Sequence, residues 1–532
     1  MKEPSARSFR PSEHQPELPM DRLIVEEAPD EEALPLDVVF VGGGPAGLAG
    51  AIHLARMARE DAELSDLEIG VLEKAEGLGE HCLSGAVVDP GPFRELFPDV
   101  PPEELPFRRP APDDRVYLLT EERKFRLPTP PTMRNHGNRV ASICEIVRWM
   151  GERAEELGVN VFTGFPADSL LVEDTRVLGV RTTPAGLDRD GEPGSGYFPP
   201  TDVRARATVL AEGSRGSLTQ AWRRWRGVGA ENPQIYALGV KELWETGDVP
   251  DAVMHTLGWP LPDDAFGGSF VYPMAEDLLA VGLVVGLDYR QQRLDVHELL
   301  QRLKRHPLLR PRLEGGEMVE WGGKTIPEGG WWSLPERLHG DGLLVAGDAA
   351  GLVDVPSLKG IHYAVQSGIF AARSLFEALK RDDLSRQGLA SYDRRIRDSF
   401  IAEDLRRTRN MRLAYKDGGL WRGSLKAAVM TATGGAFPGG KIPVEEDAAE
   451  PRRVTAEEER PREGELSVSK EDGVYRSGNT TRDDIPSHLL VGEAPPEHVA
   501  EFYRHMCPAG VYEVEDGELV VNAPNCIDCK AT

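Results

Sequence analysis

The chain has 532 residues, 40% hydrophobic and 28% charged, and its 88 Asp and Glu outweigh 62 Lys and Arg to give a formal net charge of −26. That length exceeds one ordinary core, so two or three domains are expected. The acidic balance argues against nucleic acid as a partner and against electrostatic docking on anionic lipid, so any membrane contact has to be apolar.

Residues 1–35 are polar and rich in Pro and Glu, with Glu26, Glu27, Asp30, Glu31 and Glu32, and read as a disordered acidic tail. No apolar signal core and no stretch of bilayer length is present, so the protein is expected to be soluble or to sit on a surface. The stretch that organises the rest follows: an apolar run to Val41, then Gly42, Gly44 and Gly47, then small residues at helical spacing through Ala51, Leu54 and Ala55. That is strand, tight turn, helix. The first glycine permits the turn, the second lets backbone approach a pyrophosphate, and the third lets helix pack on strand. A second parallel strand, Leu67 to Lys74, ends in Glu73, where a carboxylate can accept from a ribose diol. Dinucleotide binding is therefore predicted.

The small-residue loop Gly77–Val87 lies where ligands bind in open α/β sheets. Its His81 and Cys82 read as packing residues rather than a catalytic pair, because no second His or Cys completes one. Residues 98–133 are Pro-rich, with a hairpin predicted around Glu121 and Glu122; Asn138–Leu157 reads as a helix and Val159–Phe162 as a further parallel strand. The strand ending in Glu212 and Gly213 is a second close approach of backbone to the same ligand. Residues 235–290 alternate without long helices, which predicts an inserted antiparallel sheet. The chain then returns to the first domain at the buried strand before Gly347 and Asp348, where the Asp can reach a ribityl hydroxyl. A long helical region runs from about 361 to 415, and residues 418–440 form a short apolar helix that reads equally as a membrane contact or a domain interface. A charged linker, 445–465, leads to a small last domain holding three of the five cysteines, Cys507, Cys526 and Cys529; this crowding suggests metal rather than a disulfide framework.

The motifs together resemble one family, the electron-transfer flavoprotein:quinone oxidoreductases, within the wider FAD-binding group of geranylgeranyl reductases and aromatic hydroxylases. The wider group supplies the glycine turn with Glu73, the Glu212–Gly213 strand and Gly347–Asp348. The narrower match rests on Leu83–Val87, His136–Asn138, Gly239–Trp244, His255–Leu261, Gly267–Phe270, Gly286–Tyr289, Val355–Gly360 and Cys507–Tyr512. These blocks run from Leu36 to the C-terminus.

The resemblance implies FAD held by Gly42, Gly44, Gly47, Glu73, Lys74, Ser84, Gly85, Glu212, Gly213, Gly347, Asp348, Lys359 and Gly360. It implies an iron–sulfur cluster, 4Fe–4S in the family, on Cys507, Cys526 and Cys529, and a quinone against the backbone of Gly267 and Gly268. It implies an electron-transfer flavoprotein as donor, ubiquinone or another membrane quinone as acceptor, and no catalytic acid–base residue. It also implies that the helix within 418–440 and part of the hairpin near 107–127 meet a membrane surface. The expected architecture is α/β: a Rossmann-like FAD domain over 36–233 and 335–415, an inserted antiparallel quinone domain over 234–334, an apolar membrane-contact helix in 416–444, the linker, and a ferredoxin-like iron–sulfur domain over 466–532.

Three departures stand out. Where the family ends its ligand run with a further cysteine, this chain has Thr532; it has Ile361 after Lys359–Gly360 where a threonine is usual; and Gly347–Asp348–Ala349 is the general flavoprotein form rather than Cys-Ser. Three thiolates suit a 3Fe–4S centre or a 4Fe–4S centre completed by another group. The last departure points to a bacterial branch and hence to the cytoplasmic face of a bacterial inner membrane. Two rival readings are a flavin-dependent reductase or hydroxylase of an isoprenoid or aromatic substrate, and a flavin-free escort of lipidated partners. The cysteine domain counts against both.

Overall fold

The computed structural model describes residues 8–416, 419–455, 464, 466–479 and 483–532. The elements that position the site are, in chain order, β1 (Leu34–Val41), α1 (Pro45–Arg59), β2 (Ile69–Glu73), and the hairpin β3 (Asp114–Leu119) and β4 (Lys124–Leu127). Then come α2 (Ile143–Glu156), β5 (Asn160–Thr163), β6 (Ala167–Glu173), β7 (Arg176–Thr182), β8 (Asp202–Leu210) and α3 (Ser217–Trp225). The second sheet follows with β9 (Tyr236–Glu245), β10 (Val253–Gly258), β11 (Gly267–Pro273), β12 (Leu278–Gly286), α4 (Val296–Lys304) and β13 (Glu317–Pro327). The chain closes with β14 (Leu343–Val345), α5 (Ile361–Lys380), α6 (Gly419–Ala432), α7 (Glu497–Met506), β15 (Tyr512–Glu515) and β16 (Glu518–Val521).

In the first sheet β5, β2, β1, β8 and β14 run parallel in that order, and β7 and β6 extend it antiparallel along the other half of β8. Val38 to Phe40 are fully buried, as a strand covered on both faces requires. Helices α1 and α5 cross at a glycine pair: a Cβ on Gly368 would stand 2.3 Å from Ala46 O and 2.8 Å from Gly50 N. Small residues there are a packing requirement, and they fix α1 against the strand that feeds it.

The second sheet has the order β13–β9–β12–β11–β10–β3–β4, antiparallel except where β10 runs parallel to β3. It is therefore not confined to 234–334: the hairpin β3–β4 supplies its edge. Helix α4 covers the face turned away from the first domain, and its Lys304 pairs with Glu242 of β9 at 2.9 Å, both side chains fully buried. In the last domain α7 packs on the hairpin β15–β16.

Two expectations need correction. The acidic tail is packed from Ser8 onward: Phe9 is buried edge-on against Phe502, Ile24–Val25 pair with β6, and Arg181 pairs with Glu27 at 3.3 Å. Composition misled because the acids stay exposed on a segment that is anchored by its apolar residues, Leu23 and Ala33 among them, and by strand pairing at Ile24–Val25. Likewise 447–453 is not linker: the Asp447 carboxylate accepts from Tyr236 N at 2.7 Å, and buried Arg452 donates to Leu287 O at 2.7 Å. Residues 456–463 and 465 of the expected linker lie outside the described residues.

Candidate functional site

The ends of β1, β2, β8 and β14 open into one cavity of about 1160 Å³, lined by Val41, Leu72, Ala211 and Ala346 among others. That exceeds the roughly 300–1,000 Å³ usual for one drug-sized ligand, so there is room for two. At one end sits the glycine turn. Gly42 has φ +112°, and a Cβ there would stand 2.4 Å from Ala211 O. A Cβ on Gly47 would stand 2.1 Å from Gly42 O, so this glycine holds helix to turn. A Cβ on Gly44 would meet nothing within 4 Å, so its backbone borders open space. Those three environments fit a dinucleotide whose phosphates approach the α1 N-terminus.

Glu73 closes the turn: its carboxylate accepts from Gly43 N and Ala75 N, both at 2.9 Å. Glu212 does something else. Its side chain accepts from Leu218 N (3.1 Å) and Thr219 N (2.8 Å), capping the start of α3, while Glu212 and Gly213 both border the cavity. Asp348 has no side-chain hydrogen-bond partner among the described residues, and burial raises its carboxyl to about 6. A half-buried carboxyl that lines the cavity without a partner fits a polar ligand group placed against it.

The wall contributed by the second sheet is made thin by glycine. Gly267 and Gly268 border the cavity, and a Cβ on Gly268 would stand 2.4 Å from Thr256 O. Beside them His255 Nε2 and Tyr272 OH share a hydrogen bond of 3.0 Å. Burial, helped by Lys359, lowers His255 to about 3, so its ring is neutral. Lys241 donates to Ser84 O and lies 3.3 Å from Glu320, tying β9 to the loop that carries Ser84 and Gly85. In that loop burial pushes Cys82 up to about 12, so no thiolate is present, while desolvation and the neighbouring Lys74, Lys324 and Lys530 lower His81.

The far end is bounded by α6. Leu420, Ser424, Ala427, Ala428 and Thr431 face the cavity, while Trp421, Leu425 and Val429 form an outward stripe with Trp421 71% exposed and Leu425 68% exposed. Among the described residues no helix is long and apolar enough to cross a membrane.

At the near end the C-terminal segment joins the wall. Asp528 and Lys530 line the cavity, although the three cysteines themselves do not. Burial and mutual proximity of Cys507, Cys526 and Cys529 push Cys526 up to about 11 and Cys529 to about 12. Among the described residues no three His, Cys, Asp or Glu are close enough to hold a single metal ion. The chemistry of the three neighbouring thiols suits a multi-iron cluster, which spreads its ligands; Thr532, at the fourth position, offers a hydroxyl that Tyr512 OH approaches at 3.4 Å.

Thus Gly42, Gly44, Glu73, Lys74, Ser84, Gly85, Glu212, Gly213, Gly347, Asp348, Lys359, Gly360, Gly267 and Gly268 border one cavity, with Gly47 behind the turn. Sequence reasoning did not find Lys241, Lys324 or Lys530; single lysines scattered along a chain carry no spacing signal.

Fold and cavity define the class: a dinucleotide-binding α/β protein whose cleft is closed by a second sheet. A geranylgeranyl bacteriochlorophyll reductase-like protein from Thermoplasma acidophilum shares that fold at a TM-score of 0.56, with 22% identity over 76% of this chain and 97% of that one. Residues 236–326 match the family model for the ubiquinone-binding part of electron transfer flavoprotein-ubiquinone oxidoreductase, and 464–532 match its 4Fe-4S part. The mitochondrial electron transfer flavoprotein-ubiquinone oxidoreductase of Oryza sativa subsp. japonica is 37% identical over 522 residues, covering 94% of this chain and 89% of the relative. The human counterpart is 36% identical over 535 residues, covering 93% and 84%. The chain belongs to the electron transfer flavoprotein-ubiquinone oxidoreductase family. These relatives are mitochondrial proteins of eukaryotes, which overturns the expected assignment to a bacterial inner membrane.

Proposed function

We propose that this chain is an oxidoreductase that takes electrons from a reduced electron transfer flavoprotein and passes them, through bound FAD and an iron–sulfur centre, to ubiquinone. The observation that carries this reading is the continuity of one cavity from the glycine turn to Gly267–Gly268 and on to α6. FAD, when bound, supplies the chemistry by accepting electrons singly and releasing them in pairs. The chain's own part is to bind, orient and exclude water. Gly42, Gly44, Gly213 and Gly347 leave backbone room for the cofactor, Gly47 holds helix to turn behind them, and Glu73, Lys74, Ser84, Gly85, Asp348, Lys359 and Gly360 orient it. Cys507, Cys526 and Cys529 hold the iron–sulfur centre. The quinone head lies against Gly267 and Gly268, with the neutral His255–Tyr272 pair beside it, and its apolar tail leaves past α6. The outward stripe of Trp421, Leu425 and Val429 rests on a membrane surface.

The test is an anaerobic titration of the purified protein, with iron and sulfide analysis. The expected result is a flavin spectrum bleached by reduced electron transfer flavoprotein and restored by a ubiquinone analogue, and left oxidised by NAD(P)H alone. Rapid bleaching by NAD(P)H would transfer the protein to the reductase or hydroxylase class.

A further inference from the structure

Three lysines from three parts of the chain meet at the end of the cavity nearest the cysteines. Lys74 follows β2, Lys324 lies on β13, Lys530 follows Cys529, and all three line the cavity. Protein atoms surround Lys74, yet 38% of its side-chain surface stays open, because that surface faces the hollow.

The nearby carboxylates are already engaged. Glu73 accepts from two backbone amides, and Asp528 pairs with Lys74. Lys324 Nζ donates to Asp528 O at 3.0 Å and Lys530 Nζ to Glu212 O at 3.5 Å. Among the described residues neither Lys324 nor Lys530 has a carboxylate within ion-pair distance; Asp528 pairs with Lys74 alone, while Glu73 and, at Lys530, Glu212 act on the lysines only at longer range. Burial first and then the neighbouring lysines depress both Lys74 and Lys324. A cavity that gathers like charges in this way is the electrostatic complement of an anion. The segment bearing Lys530 is fastened to the same wall: Cys529 O accepts from Thr325 N at 2.9 Å, and Ala531 O accepts from Arg215 Nη1 at 3.1 Å.

We infer that Lys74, Lys324 and Lys530 seat the diphosphate of the bound dinucleotide, complementing the amides of the Gly42–Gly47 turn, so that the C-terminal segment is part of the cofactor site. Cofactor retention and docking of the last domain then reinforce each other, since coupling between two binding events is reciprocal. The inference rests on the FAD reading of the cavity given above.

The experiment uses the full chain stripped of flavin and reconstituted with FAD. The dissociation constant is read from quenching of flavin fluorescence, and amide hydrogen exchange is followed in peptides covering 507–531. Lys324→Met and Lys530→Met are compared with Lys324→Arg and Lys530→Arg. Lys380→Met serves as control, its ammonium lying outside the cavity against Asp61 and Glu63. Each methionine variant is expected to weaken FAD binding about tenfold or more, the arginine variants to recover most of that loss, and the control to match wild type. FAD is expected to slow exchange across 507–531 in the wild-type chain. Unchanged FAD affinity in both methionine variants would overturn the seat, as would equal exchange with and without FAD. Loss of iron and sulfide at unchanged FAD affinity would also overturn it, assigning the lysines to the cysteine thiolates instead. A wild-type chain that takes up no FAD would sink the reading of the cavity itself, whereas tight binding indifferent to the lysines sinks this inference alone.

Discussion

Gly268→Ala is the sharpest probe of where the quinone sits. The added Cβ would stand 2.4 Å from Thr256 O, about 1 Å inside the 3.4 Å at which ordinary contact begins. The atom it meets is backbone, paired across β10 and β11 at Thr256 and Ser269, so the strands have to part by that amount. Overpacking of this kind costs about 1–3 kcal/mol of stability, which a chain of this size tolerates. The amides and carbonyls of Gly267 and Gly268 move with the strand. A displacement of about 1 Å in a positioning group costs on the order of 100-fold in rate. Stopped-flow separates the two half-reactions: reduction of the bound flavin by reduced electron transfer flavoprotein, and its reoxidation by a short-chain ubiquinone analogue. The second is expected to slow about 100-fold while the first keeps its rate. Gly322→Ala is the control, since its Cβ meets only the end of the Leu83 side chain at 2.4 Å and that chain can turn aside. Wild-type reoxidation by quinone in a folded Gly268→Ala protein would refute the placement.

Further outcomes follow from burial. Lys304 and Glu242 are both fully buried, and Glu242 also accepts from Trp244 Nε1 at 2.7 Å and Gln301 Nε2 at 3.0 Å; Lys304→Met leaves that carboxylate uncompensated and is expected to cost about 3–5 kcal/mol in calorimetry, with a small loss arguing that water reaches the site. Burial holds His53, His255 and His362 at about 4, 3 and 4 in the folded chain. The unfolded chain therefore binds more protons below about pH 6.5, and the stability these neutral rings contribute is full above that value and lost as pH falls toward the folded ones, by about 1.4 kcal/mol per pH unit for each group. His255→Asn should flatten the fall of Tm between pH 6.5 and 4, and an unaltered slope would count against a neutral, buried ring. Trp421→Glu with Leu425→Glu removes two exposed apolar side chains, each worth roughly 1.5–3 kcal/mol on transfer. Sedimentation with phospholipid vesicles should show binding reduced on the order of 100-fold or more at unchanged Tm, whereas equal vesicle binding would leave α6 without a membrane role.

The nucleotide end of the molecule was legible because its signal is local: a turn that demands positive φ at Gly42 and close packing at Gly47 must be written in adjacent residues. The inserted sheet was legible by its alternation, but its edge was not. The pairing of Val253–Gly258 with Asp114–Leu119 joins segments far apart in sequence, and nothing in either run specifies the other. Acidic residues were ambiguous for the same reason. Glu26 to Glu32 read as a solvated tail, yet Glu27 meets Arg181, and the backbone of Asp30 donates to Asp202 at 3.1 Å. Glu212 read as a cofactor residue; it borders the cavity, while its carboxylate caps α3, a role the sequence did not announce. The lysines carry the argument furthest. Lys74 was expected at the cofactor from its place after Glu73, but Lys324 and Lys530 are unremarkable where each stands in the sequence, and the three become a site only when β2, β13 and the C-terminal segment converge. A charge cluster assembled by the fold from single residues of distant segments costs stability in the empty protein. Its persistence in a cavity wall is an argument for an anion, one no reading of spacing along the chain could have supplied.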